Sequence, residues 1–212
     1  MTQLPFSLAK GYRQFRINNF AMNPRLYGQL AEGGQKPEVM IVACCDSRVP
    51  PEVIFNAEPG ELFVVRNVAN LVPPYETGGT YHGVSAALEF AMLGLKVPHV
   101  IVMGHSGCGG VGAYLEENYV EDAAGQFIRN WMGLLGESRA EVLERLAGHS
   151  RTEIRTALEQ TAVRASLANL RTFPCVQALE AKGRVSLHGA YFDIASGGLS
   201  LLDPGSGNFE VV

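Results

Sequence analysis

The chain has 212 residues, of which 47% are hydrophobic and 18% charged, and its formal net charge is −4. This length and apolar content suffice for a sizeable core and exclude an intrinsically disordered chain. The 17 basic residues form no polybasic run, so we expect neither a nucleic acid nor an anionic membrane as partner. No uncharged apolar stretch approaches the roughly 18 residues that a membrane span requires.

The N-terminal residues predict a helical arm rather than a targeting sequence. Residues 1–20 lack the long apolar run and small-residue cleavage site of a secretory signal peptide. Apolar side chains such as Phe6 and Tyr12 recur among polar ones, as in an amphipathic helix. We assign 1–34 to this arm and 1–212 to a single domain. The absence of a signal peptide and the low cysteine count favour a reducing, cytoplasmic compartment.

Strand and helix patterns alternate along the rest of the chain. Short apolar runs typical of buried parallel strands occupy residues 38–43, 62–65 and 99–103. Helical spacing occurs at residues 79–95, 111–118, 125–147, 151–170 and 174–182. Residues 184–203 predict a strand and a hairpin return. We therefore expect an α/β fold: a central, mostly parallel β-sheet flanked by helices, with an N-terminal helical arm and a C-terminal edge hairpin.

Polar clusters follow two of these predicted strands. Cys44 and Asp46 come after the first, and His105 and Cys108 come after the third. Ligands bind where the carboxyl ends of parallel strands meet, so we expect these side chains to lie close together. Two thiolates and an imidazole form a set that zinc prefers, and three protein ligands leave a position open for catalysis. A buried thiol and an ordinary turn histidine would fit the spacing equally well.

The residues after Cys44 add to this pattern. Asp46 lies two positions further on, so on an extended segment both side chains face the same way. Asp46 could then accept a hydrogen bond from metal-bound water, or act as a conditional fourth metal ligand. Arg48 could pair with Asp46 through its planar guanidinium and fix the carboxylate. The alternative interpretation is a surface ion pair or a helix cap.

The motifs resemble, in order, those of the β-class carbonic anhydrases, most closely the plant-type branch. They are Cys44-x-Asp46-Ser47-Arg48, Pro59-Gly60-Glu61, Arg66-Asn67-Val68-Ala69-Asn70 and Gly104-His105-Ser106-x-Cys108-Gly109-Gly110. The plant-type features are Phe63-Val64-Val65-Arg66-Asn67 and Val72-Pro73-Pro74. The resemblance implies a zinc lyase that reversibly hydrates carbon dioxide to bicarbonate and a proton, by attack of zinc-bound hydroxide.

The resemblance also implies a role for individual residues. Cys44, His105 and Cys108 would hold Zn2+. Asp46 and Arg48 would form the catalytic dyad. Two thiolates donate more negative charge than neutral imidazoles, so we expect the bound water to be less acidic than in a site of three histidines.

Four further positions correspond to substrate contacts in the family. Gln35 would donate a hydrogen bond to the substrate, and Phe63 and Val68 would form walls of a small apolar pocket. The backbone N–H of Gly109 would contact bound anion. The resemblance further implies a homodimer or homotetramer with carbon dioxide or bicarbonate as its small-molecule partner.

The chain departs from the family members that a second bicarbonate site regulates. That site needs a tryptophan, an arginine and a tyrosine. The tryptophan position holds Ile41 and the tyrosine position Phe192, although Arg66 is kept. We therefore expect no regulation by a second bicarbonate of that kind. We expect Asp46 to be paired with Arg48 rather than bound to the metal.

Two other functions stay open at this level. A hydrolase of carbon disulfide or carbonyl sulfide on the same scaffold would show the same metal motif. A non-catalytic zinc- or anion-binding protein would also keep it. The remaining histidines are expected to be ordinary surface or core residues; they are His82, His99, His149 and His188.

Overall fold

The computed structural model describes residues 4–116 and 125–212. These residues fall into two compact units, one that ends at Lys36 and one that begins at Pro37. The assignment of the whole chain to a single domain stays a prediction. Across the two described stretches, no helix has the length and apolarity to cross a bilayer.

The N-terminal unit consists of two helices. Helix α1 spans Phe6–Phe15 and continues into a π-helical turn, Arg16–Phe20, while α2 spans Pro24–Gly33. Proline suits the first turn of α2 because that position needs no N–H donor. The ring of Phe15 meets that of Tyr27 edge-on, with centroids 5.8 Å apart. Neither α-helix has a buried residue.

The second unit is built around a six-stranded mixed sheet with the order β2-β1-β3-β4-β5-β6. The strands are β1 Val39–Cys44, β2 Leu62–Asn67, β3 His99–His105, β4 Ser186–Phe192, β5 Leu199–Leu202 and β6 Phe209–Val211. Strands β1 to β4 run parallel, and β5 and β6 add antiparallel pairs at one edge. This confirms the predicted α/β fold with a C-terminal edge hairpin; the short β6 was not predicted.

The register of the sheet aligns the carboxyl ends of its central strands. On one side of β1, Cys44 is opposite Asn67 of β2. On the other side, Ala43 is opposite Met103 of β3. The segments that follow β1, β2 and β3 therefore leave the sheet at the same end, where the polar clusters were predicted to meet.

Seven α-helices and two short turns complete the second unit among the described residues. The helices are α3 Pro51–Ile54, α4 Gly83–Glu89 with a π-helical turn Phe90–Leu95, α5 Gly109–Tyr114, α6 Gln126–Met132, α7 Gly136–Arg145, α8 Arg151–Leu170 and α9 Pro174–Glu180. The 3-10 turns are Val68–Asn70 and Gly133–Leu135. The helix predicted over 125–147 is thus broken at a turn flanked by glycines. Residues 117–118 of the predicted 111–118 helix lie outside the described residues.

Helix α8 covers the middle of the sheet and positions the site. Its buried residues include Val163, Leu167 and Leu170, which pack in one cluster with the strand residue Val102. The approach is close: a Cβ at Gly104 would lie 2.7 Å from Cγ2 of Val163. Glycine at the end of β3 therefore lets α8 lie directly against the strand that carries His105.

Candidate metal centre

Three potential ligands meet at the carboxyl ends of β1 and β3. Cys44 ends β1, His105 ends β3, and Cys108 lies in the turn before α5. Their ligand atoms all lie within 4.8 Å of one another, and all three residues are buried. The two sulfur atoms are 3.9 Å apart. Two sulfurs bound tetrahedrally to one zinc ion at about 2.3 Å would be about 3.8 Å apart, so the spacing suits that ion.

The imidazole of His105 is oriented as a metal ligand. Its Nδ1 lies 3.0 Å from the carbonyl oxygen of Ser106, so Nδ1–H is the donor and Nε2 carries the free lone pair. Nε2 is buried and has no hydrogen-bond partner. Buried polar atoms are rarely left without a partner, and a metal ligand commonly has its other ring nitrogen held in this way. The donor set therefore fits a resident cation.

The charges of the three side chains also favour a cation. The hydrogen bond from the Cys108 thiol lowers the pKa of Cys44, and the same contact raises the pKa of Cys108. Burial is the largest single effect on the pKa of His105 and lowers it, but the contacts with Cys44 and the Ser106 carbonyl and the charges of Cys44 and Asp46 together raise that pKa. The pair of cysteines thus holds one proton between them in the absence of a positive charge, and a bound metal ion would displace it.

Asp46 and Arg48 form a bidentate ion pair beside the three ligands. Arg48 donates through Nε to Oδ1 of Asp46 at 2.9 Å and through a terminal nitrogen to Oδ2 at 2.6 Å. These hydrogen bonds hold the pKa of Asp46 well below its usual range. The same terminal nitrogen donates to the carbonyl of Gly107 at 2.9 Å. Oδ2 of Asp46 lies 4.0 Å from Nε2 of His105, so an ionised carboxylate faces the ligand set.

Arg66 supports this arrangement from the neighbouring strand β2. Its Nε donates to the carbonyl oxygen of Cys44 at 2.8 Å, and a terminal nitrogen donates to the carbonyl oxygen of Asp46 at 2.5 Å. One guanidinium therefore fixes the backbone of both a ligand and the dyad carboxylate. The sequence indicated Arg66 only as part of a regulatory site, because its contacts here depend on strand pairing that a motif does not reveal.

A buried carboxylate on α8 supports the turn that carries Cys108. Glu159 is only 2% exposed. It accepts hydrogen bonds from the Cys108 N–H at 2.8 Å, from Nε of Arg155 at 3.1 Å and from the Tyr191 hydroxyl at 2.7 Å. Arg155 also donates to the Cys108 carbonyl at 2.7 Å. These residues were not predicted from the sequence, although Glu159 lies four positions before the apolar Val163 on the buried face of the helix.

Two of the four predicted substrate contacts lie at this centre. Val68 follows β2 and packs in the same cluster as Cys44 and Cys108. Gly109 follows Cys108 directly, at the start of α5, and is exposed. A Cβ at the next position, Gly110, would lie 2.7 Å from Cγ1 of Val68, so the turn and the apolar side chain are closely packed.

The other two predicted contacts are placed elsewhere. Phe63 pairs with Met40, whereas Cys44 pairs with Asn67. Phe63 therefore lies about 13 Å along the strands from the level of Cys44. Gln35 is exposed and belongs to the N-terminal unit. One copy of the second unit thus does not bring Phe63 to the ligands, and the roles of Phe63 and Gln35 stay predictions.

The mixed sheet with its parallel centre and the buried Cys-His-Cys set beside an Asp–Arg pair define an α/β protein with a candidate catalytic metal centre at the strand ends. A family model for carbonic anhydrase matches residues 39–199. The chain is 37% identical over 196 residues to beta carbonic anhydrase 3 of Arabidopsis thaliana, covering 92% of this chain and 75% of the relative. The chain belongs to the β-carbonic anhydrase family, which confirms the resemblance predicted from its motifs.

Solved structures agree with this assignment. The β-carbonic anhydrase CcaA superimposes with a TM-score of 0.89 at 30% identity, covering 97% of this chain and 91% of that one. A tetrameric β-carbonic anhydrase of the ascomycete Sordaria macrospora superimposes with a TM-score of 0.81 at 31% identity, covering 93% and 95% of the two chains. The fold is shared over nearly the whole length of each.

Proposed function

We propose that this protein is a zinc-dependent carbonic anhydrase that interconverts carbon dioxide and bicarbonate. The observation that carries the proposal is the buried set of Cys44, His105 and Cys108, whose ligand atoms all lie within 4.8 Å of one another and which includes the unpartnered Nε2 of His105. When bound, zinc supplies the Lewis acidity that makes hydroxide available from water near neutral pH.

The residues around the centre would orient the reactants. Asp46 is held ionised by Arg48 and lies 4.0 Å from Nε2 of His105. Its carboxylate can accept a hydrogen bond from the attacking oxygen and so direct a lone pair at the substrate carbon. Arg48 occupies both carboxylate oxygens of Asp46, so Asp46 would leave a fourth position on a bound metal to water.

Val68 and Gly109 would contact the substrate. Val68 presents an apolar surface that suits carbon dioxide, which has no net charge or dipole. The N–H of Gly109 is in the first turn of α5, where backbone donors lack partners within the helix. That N–H can donate to an oxygen as negative charge develops on it during hydration.

A metal-removal experiment with matched cysteine variants tests the proposal. Carbon dioxide hydration and zinc content would be measured by stopped flow and elemental analysis, before and after chelation. We expect the wild type and Cys175→Ser, which changes a cysteine of α9 outside the site, to hold zinc and to be active. We expect Cys44→Ser to lose both properties. Zinc-loaded protein without hydration activity would instead indicate a non-catalytic zinc protein, and full activity without metal would refute the mechanism.

We also propose a homodimer or homotetramer. Several large apolar side chains are more than half exposed in the single chain; among them are Phe6, Tyr12, Tyr81 and Phe127. Exposed apolar surface of this extent is typical of interaction sites. The Sordaria macrospora relative that this chain resembles is described as tetrameric. Size-exclusion chromatography with light scattering would give the mass of the assembly. A monomer at micromolar concentration would contradict the proposal.

The location of Phe63 supports the same proposal. Its ring centroid is 5.9 Å from that of Phe90, which is 54% exposed. Because Phe63 lies far from the ligands of its own chain, we propose that it forms a pocket wall for the site of a second copy.

We further propose a cytoplasmic location. The chain's four cysteines are all free, and two of them belong to the candidate ligand set. Thiols must be reduced to bind metal, and cytoplasmic thiols are kept reduced. Fractionation of the native cells with detection of this chain tests the proposal, and recovery from an oxidising compartment would contradict it.

A further inference from the structure

A pair of histidines lies on the exposed surface of the sheet at the end opposite the metal centre. His99 begins β3, and His188 lies in the neighbouring parallel strand β4. His99 is opposite Ser186, and His188 is opposite Ile101. The two histidines are therefore diagonal neighbours, separated by two residues in register, so their side chains point to the same face.

The two rings are in hydrogen-bonding contact, with one nitrogen of each facing the other. Nδ1 of His99 is 3.2 Å from Nε2 of His188, and the ring centroids are 5.3 Å apart. Two imidazole nitrogens that bind one cation at about 2.1 Å each are separated by about 3.0 to 3.4 Å for bond angles between 90° and 109°. The observed separation falls within that range, so a cation could be bound without moving the strands.

The protonation state of His188 suits metal binding. Burial, and then the charge of His99, lower the pKa of His188. Only a neutral imidazole can bind a metal ion. Both rings are also carried by strands that are paired in register, so little conformational entropy is lost when they bind the same ion.

We propose that His99 and His188 form a second metal site, for a divalent transition ion such as Zn2+, Ni2+ or Cu2+. These ions accept imidazole ligands readily. The site is distinct from the candidate catalytic centre, because His99 and His105 are at opposite ends of β3, about 20 Å apart along an extended strand. Two protein ligands leave the remaining positions to water, so the affinity should be lower than that of the three-ligand centre.

Nickel titration of the zinc-loaded protein tests this proposal directly. Calorimetry should show one Ni2+ bound per chain by the wild type. If both rings bind one ion, His99→Asn and His188→Asn should each weaken Ni2+ binding at least tenfold. The second substitution then has little left to remove, so the double variant should bind Ni2+ at most about twofold more weakly than either single variant. The exposed histidine variant His149→Asn serves as the control and should bind as the wild type does. Unchanged binding in either single variant would overturn the proposal.

Thermal unfolding gives a second readout. An ion that binds only the native state raises the melting temperature, so Ni2+ should stabilise the zinc-loaded wild type but neither single variant. Equal melting temperatures without Ni2+ would show that the variants fold normally. If Ni2+ has no effect on any of them while carbon dioxide hydration persists, this inference fails and the proposed function is untouched.

Discussion

At the scale of single residues, the geometry of the candidate metal centre depends on side chains that do not belong to the ligand set. Arg66 donates to the carbonyl oxygens of Cys44 and Asp46. Glu159 accepts the N–H of Cys108. Each contact fixes a backbone segment whose side chain faces the metal position, so the ligands are held in place before any ion binds.

Replacing Arg66 tests this positioning role. Arg66→Met removes both hydrogen bonds and should weaken zinc affinity by about tenfold, as is usual for residues that orient metal ligands. Competition with a chromophoric chelator measures the affinity. Arg164→Met is the matched control, because Arg164 also donates twice to a backbone carbonyl, that of Gly207, away from the centre. Equal zinc affinity in Arg66→Met and wild type would rule out the role.

The Glu159 network makes a separate prediction about stability. Glu159→Gln should lower the free energy of unfolding by about 2 kcal/mol, because a neutral amide replaces the carboxylate that accepts from Cys108 N–H and from the Arg155 guanidinium, and charge-assisted hydrogen bonds are stronger than neutral ones. Tyr191→Phe removes a single hydrogen bond and should cost about 1 kcal/mol. Urea denaturation of the metal-free protein measures both. A larger loss in Tyr191→Phe than in Glu159→Gln would contradict the arrangement.

At the scale of elements, α8 is the helix that the sequence predicts best. Its observed bounds, Arg151–Leu170, agree with the predicted 151–170 because the start is marked locally. Ser150 accepts the N–H of Glu153, and Glu153 accepts the N–H of Ser150 in return. This capping box needs no tertiary contact. By contrast, the turn that breaks 125–147 and the three-residue β6 depend on packing and strand pairing, which periodicity does not record.

The capping box can be tested by one substitution and its rescue. Ser150→Ala removes the side-chain acceptor at the start of α8 and should lower the free energy of unfolding by about 1 kcal/mol. Ser150→Asp restores an acceptor and should recover most of this loss. Urea denaturation provides the values, and equal stability of Ser150→Ala and wild type would show that the cap is unimportant.

The turn between β4 and β5 makes a prediction about pH. The hydroxyls of Ser196 and Ser106 donate to the Asp193 carboxylate at 2.6 and 2.7 Å and lower its pKa. A carboxylate with a lowered folded-state pKa stabilises the fold above its unfolded pKa of about 3.9, and this contribution is lost as the pH falls through the folded value. Ser196→Ala should raise the pKa of Asp193.

Carboxyl-carbon NMR titration measures that shift. Ser206→Ala, in the turn before β6, serves as the control because its contacts involve Asp203 rather than Asp193. An Asp193 titration midpoint that is the same in Ser196→Ala as in wild type would exclude the proposed hydrogen bond as the cause.

In the candidate site, too, some features follow from the local sequence and others depend on tertiary contacts. Motif spacing predicts that Cys44, His105 and Cys108 lie close together, because parallel strands bring their carboxyl ends to one edge of the sheet. The family resemblance was needed to favour a metal site over a buried thiol and an ordinary turn histidine. It cannot show that Phe63 lies a strand's length away from them, since that follows from the pairing of Phe63 with Met40. Spacing also does not reveal the role of Glu159, because the three groups that donate hydrogen bonds to it come from separate parts of the chain.

At the scale of the whole molecule, Phe63 predicts that the active unit contains more than one chain. Cys44→Ser and Phe63→Ala should each have little activity alone. A mixed dimer would contain one site with intact ligands that faces a wild-type Phe63, provided that this side chain acts on the neighbouring copy. Co-expression and purification of the mixed species should therefore restore carbon dioxide hydration.

Two outcomes would contradict this prediction. Activity of the mixed species no higher than that of its parents would show that Phe63 acts within its own chain. Wild-type activity of Phe63→Ala alone would show that the ring has no part in the reaction. Light scattering confirms in each case that the assembly is intact.

The separation of the ligands along the chain has a consequence for biogenesis. Cys44 and Cys108 are 64 residues apart and come together only after β3 has paired with β1. While β3 is still inside the ribosome, Cys44 has already emerged but His105 and Cys108 have not. The nascent chain therefore cannot yet form the three-ligand site. We therefore expect zinc to bind only after β1 and β3 have paired, and the rate of zinc uptake by refolding protein should report that pairing.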